Sequence, residues 1–165
     1  SCREAEILNV GIRLPNPVSP HLAAQQAGET IRLSELTETV VSQDSDERWI
    51  VEGAGGVLVP INDVEMMVDL MALLNLPALV VARSSLGTIN HTLVTIEALK
   101  ARGLSVAGVV MVGEKNQDNR LAIEHYGRVV VLGEMPLFPQ LTPEKLAQWA
   151  TNELDPNERL LEWLQ

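Results

Sequence analysis

One carboxylate followed at once by small residues is the arrangement with the most chemical content in this chain. In the segment WIVEGAGGVLVP (Trp49–Pro60), the apolar run Trp49, Ile50 and Val51 reads as a buried strand that delivers Glu52 to its C-terminal end. Gly53, Ala54, Gly55 and Gly56 follow immediately. Ligands of open α/β sheets sit beyond the carboxyl ends of strands. A lone acid there, on a backbone bare enough for close approach, suits a metal ion shared with phosphate oxygens. The plain alternative is a sharp glycine turn after a core strand, with Glu52 solvated. A second arrangement is the start of a helix at Gly87, Thr88 and Asn90. Free amide groups and the positive helix end favour an anion there, and Asn90 adds a side-chain donor. A capped helix with Asn90 facing solvent is the competing reading. The three histidines, His21, His91 and His125, have no metal-ligand spacing, so no zinc site is expected. His21 falls in the first turn of a helix and reads as structural; His91 reads as a packing or interface residue.

The elements that must position these residues alternate. Residues 1–18 are irregular. Ser19-Pro20 starts a short helix that runs to about Gly28. Residues 33–43 read as an acidic surface helix, with Leu33, Leu36 and Val40 at helical spacing. After the strand ending at Val51, Asp63 caps an apolar helix through about Asn75. Ala78–Ala82 is a continuous apolar run, typical of a strand buried on both faces. A helix from near Gly87 to Arg102, a strand at Val106–Val112, a polar helix over 117–126 and a strand at Val129–Leu132 follow. Thr142-Pro143 caps a last helix, and Pro156 separates it from a short helical segment. The alternation predicts an α/β fold: a parallel β-sheet flanked by helices on both faces, in a single domain over residues 1–165.

Composition sets outer limits. With 165 residues, 46% of them hydrophobic, the chain can bury a substantial core, although aromatics make up only 3% and the packing must rest on Leu, Val, Ile, Ala and Met. The net charge of −10 argues against a nucleic-acid partner, since phosphate binding needs clustered Lys and Arg. A domain this acidic needs local cations or magnesium to hold a triphosphate. The single Cys2 excludes an internal disulfide and fits a reducing cytoplasm. No apolar run approaches the ~18 residues of a membrane span, and the N-terminus, with Glu4 and Glu6, lacks a signal-peptide layout.

Four segments in order resemble the dethiobiotin synthetase family of the P-loop NTPase superfamily: PVSPHLAA (Pro17–Ala24), VEGAGG (Val51–Gly56), LGTINHT (Leu86–Thr92) and GEMP (Gly133–Pro136). The resemblance runs from about Asn9 to about Leu146. The family opens with a strand and a Walker-type loop, G-x-x-x-x-G-K-T, that holds phosphates. No such sequence occurs in these 165 residues, and none of Lys100, Lys115 and Lys145 follows a glycine-rich turn. The chain therefore resembles the C-terminal portion of the family, incomplete at its N-terminus and expected to be inactive by itself. An apolar groove left open beside the sheet would make the isolated chain marginally stable or prone to aggregate.

The resemblance implies a Mg2+-dependent, ATP-consuming cyclo-ligase of biotin biosynthesis, cytoplasmic and homodimeric. It would turn 7,8-diaminononanoate and CO2 into dethiobiotin through a carbamate and a carbamic-phosphoric anhydride. Glu52 would be the catalytic and metal-binding acid, with Gly53, Ala54 and Gly55 lining the phosphate cleft. Gly87, Thr88 and Asn90 would receive the substrate carboxylate, partly across the dimer. Pro136, Leu137, Phe138 and Glu144 would contact the nucleotide; Thr142-Pro143-Glu144 is equally a good helix start. One departure stands out. Many members place an Asn-Asp pair, whose Asn reads adenine, where this chain has Val112 and Gly113. Two other functions fit the same features: an amide-forming synthetase of the cobyrinic acid type, and a non-catalytic dimerisation or regulatory module.

Overall fold

A computed structural model describes residues 11–41 and 50–163. They group into two compact units, Ser1–Asn75 and Leu76–Gln165.

The first unit contains α1 (Pro20–Ala27), α2 (Leu33–Val41) and α3 (Met67–Leu74). Pro20 opens α1 where its missing N–H costs nothing, and Gly28 closes it in the left-handed region. Ala24, Ile31, Leu33, Ile61 and Met67 form the core, with Leu36 and Leu70 packed against it. The 33–43 helix thus lies at the surface with its apolar stripe, Leu33 and Leu36, turned onto this core; its last two expected residues fall outside the described residues.

Two expectations are corrected here. Ile50 and Val51 are exposed and form no strand; Trp49 lies outside the described residues. A strand needs a partner, and no described strand pairs with this segment. Nor does Asp63 start α3. Asn62 does the local capping instead: its Oδ1 accepts from the Val64 and Glu65 N–H groups at 3.0 and 2.9 Å. Pro60 and Met66 then close an antiparallel bridge, and α3 begins at Met67 with the Asp69 carboxylate accepting from Met66 N–H at 2.8 Å.

The second unit is a three-stranded parallel sheet in the order β1 (Ala78–Arg83), β2 (Val106–Val112), β3 (Val131–Met135). Helices α4 (Thr88–Ala101), α5 (Gln117–Gly127) and α6 (Pro143–Glu153) complete it, with a 3-10 turn at Arg159–Trp163. Alternation along the strands splits the core in two. Ala82, Val109, Met111 and Val131 meet Ile96 of α4 and Ile123 of α5. Val110 and Leu132 meet Trp149 of α6. The parallel sheet is therefore covered on both faces, as expected, and β2 is central and most buried. The third strand begins two residues later than Val129 and runs on through Glu134 and Met135, which pair with Met111 and Val112.

The outer edge of β3 is closed by side chains. Val131, fully buried, gives its N–H to Glu124 Oε1 at 3.1 Å, and its carbonyl accepts from Arg120 Nη2 at 3.0 Å. The Asp155 N–H adds a bond to Leu132 O at 2.8 Å. These groups occupy the positions another strand would take, so they end the sheet there. At the opposite edge, Leu79 and Val81 of β1 are exposed, so the apolar run Ala78–Ala82 is buried on one face rather than on both as expected: β1 is an edge strand, and the described helices of this unit cover only the Ala78, Val80 and Ala82 side of it.

Candidate functional site

In the first unit the glycine-rich loop is built onto the start of α3. The first amides of a helix lack partners inside it. Here loop carbonyls supply them: Met67 N–H donates to Val59 O at 2.9 Å and Val68 N–H to Val57 O at 2.8 Å. Gly55 takes a left-handed φ of +88°, and a Cβ there would come within 2.9 Å of Val59 Cγ2, so the turn requires glycine. The result presents Glu52, Gly53, Ala54 and Gly55 exposed to solvent ahead of a loop pinned behind them. The His21 N–H reaches Pro60 O at 3.4 Å, tying the start of α1 to the exit of this loop. The His21 imidazole Nδ1 is buried without a hydrogen-bond partner.

In the second unit the remaining candidates gather at the carboxyl ends of the strands. After β1 come Ser84, Ser85, Leu86 and Gly87; after β2 comes Gly113; after β3 come Pro136, Leu137 and Phe138. Gly87, at φ +91°, is the N-cap of α4. Thr88 is buried, with its hydroxyl 3.4 Å from that of Thr92, whereas Asn90 is exposed on the first turn. Thr88 and His91 border a shallow groove of about 160 Å³ along β1 and α4, together with Val81, Arg83, Leu86 and Thr95. Leu137 is exposed, while Phe138 leans on the Trp149 cluster. Thr142 caps α6, accepting from Lys145 N–H at 3.3 Å. Glu144, exposed in that first turn, has its carboxyl held below the ordinary glutamate range by its own backbone N–H and by the Thr142 hydroxyl.

A polar network around the strand ends went unseen in the sequence. Ser84 N–H donates to Val112 O and Gly113 N–H to Met135 O, both at 2.9 Å, which ties the three strand ends together. The Asn119 amide donates to Ser84 O at 3.0 Å, and Asn116 Oδ1 caps α5 by accepting from Asn119 N–H at 3.0 Å. Glu134 accepts from Asn116 N–H at 3.2 Å and from Arg120 at 3.4 Å. Lys115 pairs with Glu153 at 2.8 Å, a hydrogen bond and charge that raise the lysine above its ordinary value. The Asn116-x-x-Asn119 spacing before a helix was a readable cap signal. The cross-strand partners of Glu134 and Ser84 were not readable, because they depend on tertiary register. Gly113 sits at φ +133°, and a Cβ there would fall 2.3 Å from Ser84 Oγ. This position is therefore locked as bare backbone.

Among the described residues no group of three or more His, Cys, Asp and Glu is placed to hold a metal ion, and no helix is long and apolar enough to cross a membrane. A family model for an AAA domain matches residues 2–145. The ATP-dependent dethiobiotin synthetase BioD of Paramagnetospirillum magneticum is 51% identical over 143 residues, covering 87% of this chain and 68% of that protein. The enzymes of the same name from Brucella ovis and Brucella abortus are 46% and 45% identical over 140 residues, covering 85% of this chain and 64% of theirs. The chain thus spans about two thirds of the length of the curated relatives it matches. The family-model match over residues 2–145 takes in all four sequence segments and every strand of the sheet, and with these relatives the chain belongs to the dethiobiotin synthetase family.

Proposed function

We propose that this protein acts as an ATP-dependent dethiobiotin synthetase, closing the ureido ring of dethiobiotin from 7,8-diaminononanoate and CO2. The observation that carries the reading is the 51% identity to an enzyme of that name over 143 residues. Several other features support it. Glu52 is an exposed single carboxylate on a pinned glycine loop. That donor set fits Mg2+, which takes one or two carboxylates and fills its sphere with water and phosphate oxygens, better than it fits an all-protein cage. When bound, the ion would neutralise charge on the transferring phosphoryl group.

The chain's own residues then have distinct tasks. Glu52 holds the metal side of the nucleotide, and Gly53, Ala54 and Gly55 let phosphate oxygens approach the backbone. Gly87, Thr88 and Asn90 take the substrate carboxylate at the α4 start, where helix-terminal amides favour an anion. Pro136, Leu137, Phe138 and Glu144 flank the nucleotide base. One substrate amine captures CO2 as a carbamate. ATP phosphorylates the carbamate oxygen, and the second amine closes the ring and expels phosphate. The protein contributes orientation and charge placement. We assign the active unit as a cytoplasmic homodimer joined near α4. A cobyrinic-type synthetase or a non-catalytic module remains the alternative outcome of the test.

The test supplies the chain with the Walker-loop segment of a relative and measures Mg2+-dependent dethiobiotin formation from diaminononanoate, carbonate and ATP. Activity abolished by Glu52→Gln is expected. A well-folded, nucleotide-binding complex without turnover would overturn the assignment.

A further inference from the structure

The C-terminal strand ends hold an acid that the reaction scheme does not use. Glu134 lies on β3, with its side chain one-tenth exposed. One oxygen accepts from Asn116 N–H at 3.2 Å; the other lies 3.4 Å from Arg120 Nη1. Its carbonyl accepts from Trp149 Nε1 at 3.4 Å, so its backbone is held as well. Asn116 closes the turn that leaves β2 at Gly113, whose own N–H is bound to Met135 O. That turn and Pro136 therefore leave the sheet side by side, joined by one backbone bond and by the Glu134 carboxylate. Because Gly113 admits no side chain, the turn can offer a ligand only main-chain groups at that point. Main-chain groups recognise a base only if the turn is held in one place, and a nearly buried carboxylate bonded to a backbone amide does that.

We propose that Glu134 is a positioning residue for nucleotide binding: it fixes the 113–116 turn beside Pro136–Phe138, so that the turn's backbone forms one wall of the base site. The inference rests on the synthetase reading above. Arg120 lies between two carboxylates, Glu134 at 3.4 Å and Glu124 at 3.5 Å, and its hydrogen bond to Val131 O anchors it to β3.

The test compares Glu134→Ala and Glu134→Gln with the unsubstituted protein under the same turnover assay. Glu134→Ala should raise KM for ATP by about tenfold, as expected for one lost charge-assisted bond. It should leave kcat and KM for the diamine within about twofold. Glu134→Gln keeps an oxygen for Asn116 N–H and should recover most of the loss. Hydrogen exchange at the Asn116 amide should accelerate in Glu134→Ala and return in Glu134→Gln. An unchanged KM for ATP, or equal losses in kcat and both KM values, would overturn the positioning role while leaving the synthetase reading intact. Absence of nucleotide binding by the unsubstituted protein would instead overturn the reading on which it rests.

Discussion

Gly113→Ala is expected to destabilise the protein by about 2–6 kcal/mol, from two separable causes. The first is conformational. At φ +133° the residue lies beyond the left-handed helical region, where a side chain costs about 1–3 kcal/mol. The second is steric. The new Cβ would fall 2.3 Å from Ser84 Oγ, far inside a normal contact of about 3.5–4.0 Å. Ser84 cannot simply withdraw, because its N–H is bonded to Val112 O and its carbonyl accepts from the Asn119 amide. Relief must come from rotating the hydroxyl or shifting a strand end, at about 1–3 kcal/mol. Ser84→Ala separates the two causes: it deletes Oγ and leaves Ser84 Cβ at an ordinary 3.5 Å. Urea unfolding of the four proteins in this cycle should show a coupling of about 1–2 kcal/mol, with the double variant still below the unsubstituted protein. A Gly113→Ala protein of normal stability would refute the backbone argument. Strict additivity of the two substitutions would refute the collision. Any larger side chain at Gly113 would meet the same Ser84 hydroxyl.

Other consequences are simpler to read. Glu124→Ala leaves the buried Val131 N–H without its acceptor, which should cost about 1–3 kcal/mol in urea unfolding and promote edge-to-edge association detectable by size-exclusion chromatography. Thr142→Ala removes the α6 cap, at about 1 kcal/mol. The same change should return Glu144 toward the ordinary glutamate range in an NMR titration, because the Thr142 hydroxyl is one of the two groups lowering it. A carboxyl depressed in the folded state contributes stability that is full above the ordinary glutamate range and is lost as pH falls through the depressed value. The Thr142→Ala deficit should therefore shrink under acid. Lys115→Met should leave the unfolding midpoint unchanged, since its pair with Glu153 is exposed and screened.

What the sequence could and could not reveal follows from where each signal resides. The strand at Val106 was legible because both faces of this central parallel strand are buried, which writes a continuous apolar run into the chain. The helix starts at Ser19-Pro20 and Thr142-Pro143 were legible because capping is local. Glu134 misled for the opposite reason. The strand expected at Val129–Leu132 stops short of Glu134, yet β3 runs through it, because Asn116 and Arg120 satisfy its carboxylate from another element. The segment at Ile50 and Val51 carries strand-like residues, but a strand is a property of a pair, and no described partner is present. The second-unit residues that the family resemblance singled out, Gly87 and Pro136–Phe138 among them, follow the carboxyl ends of β1 and β3, whereas Glu144 lies in the first turn of α6. The residues that hold those ends in register, Ser84, Asn119 and Glu134, left no periodic trace. Their role lies in hydrogen bonds that cross 35 and 18 positions of chain. Local signals such as helix caps and glycine turns are therefore visible in this sequence, and bonds that position one strand end against another are not.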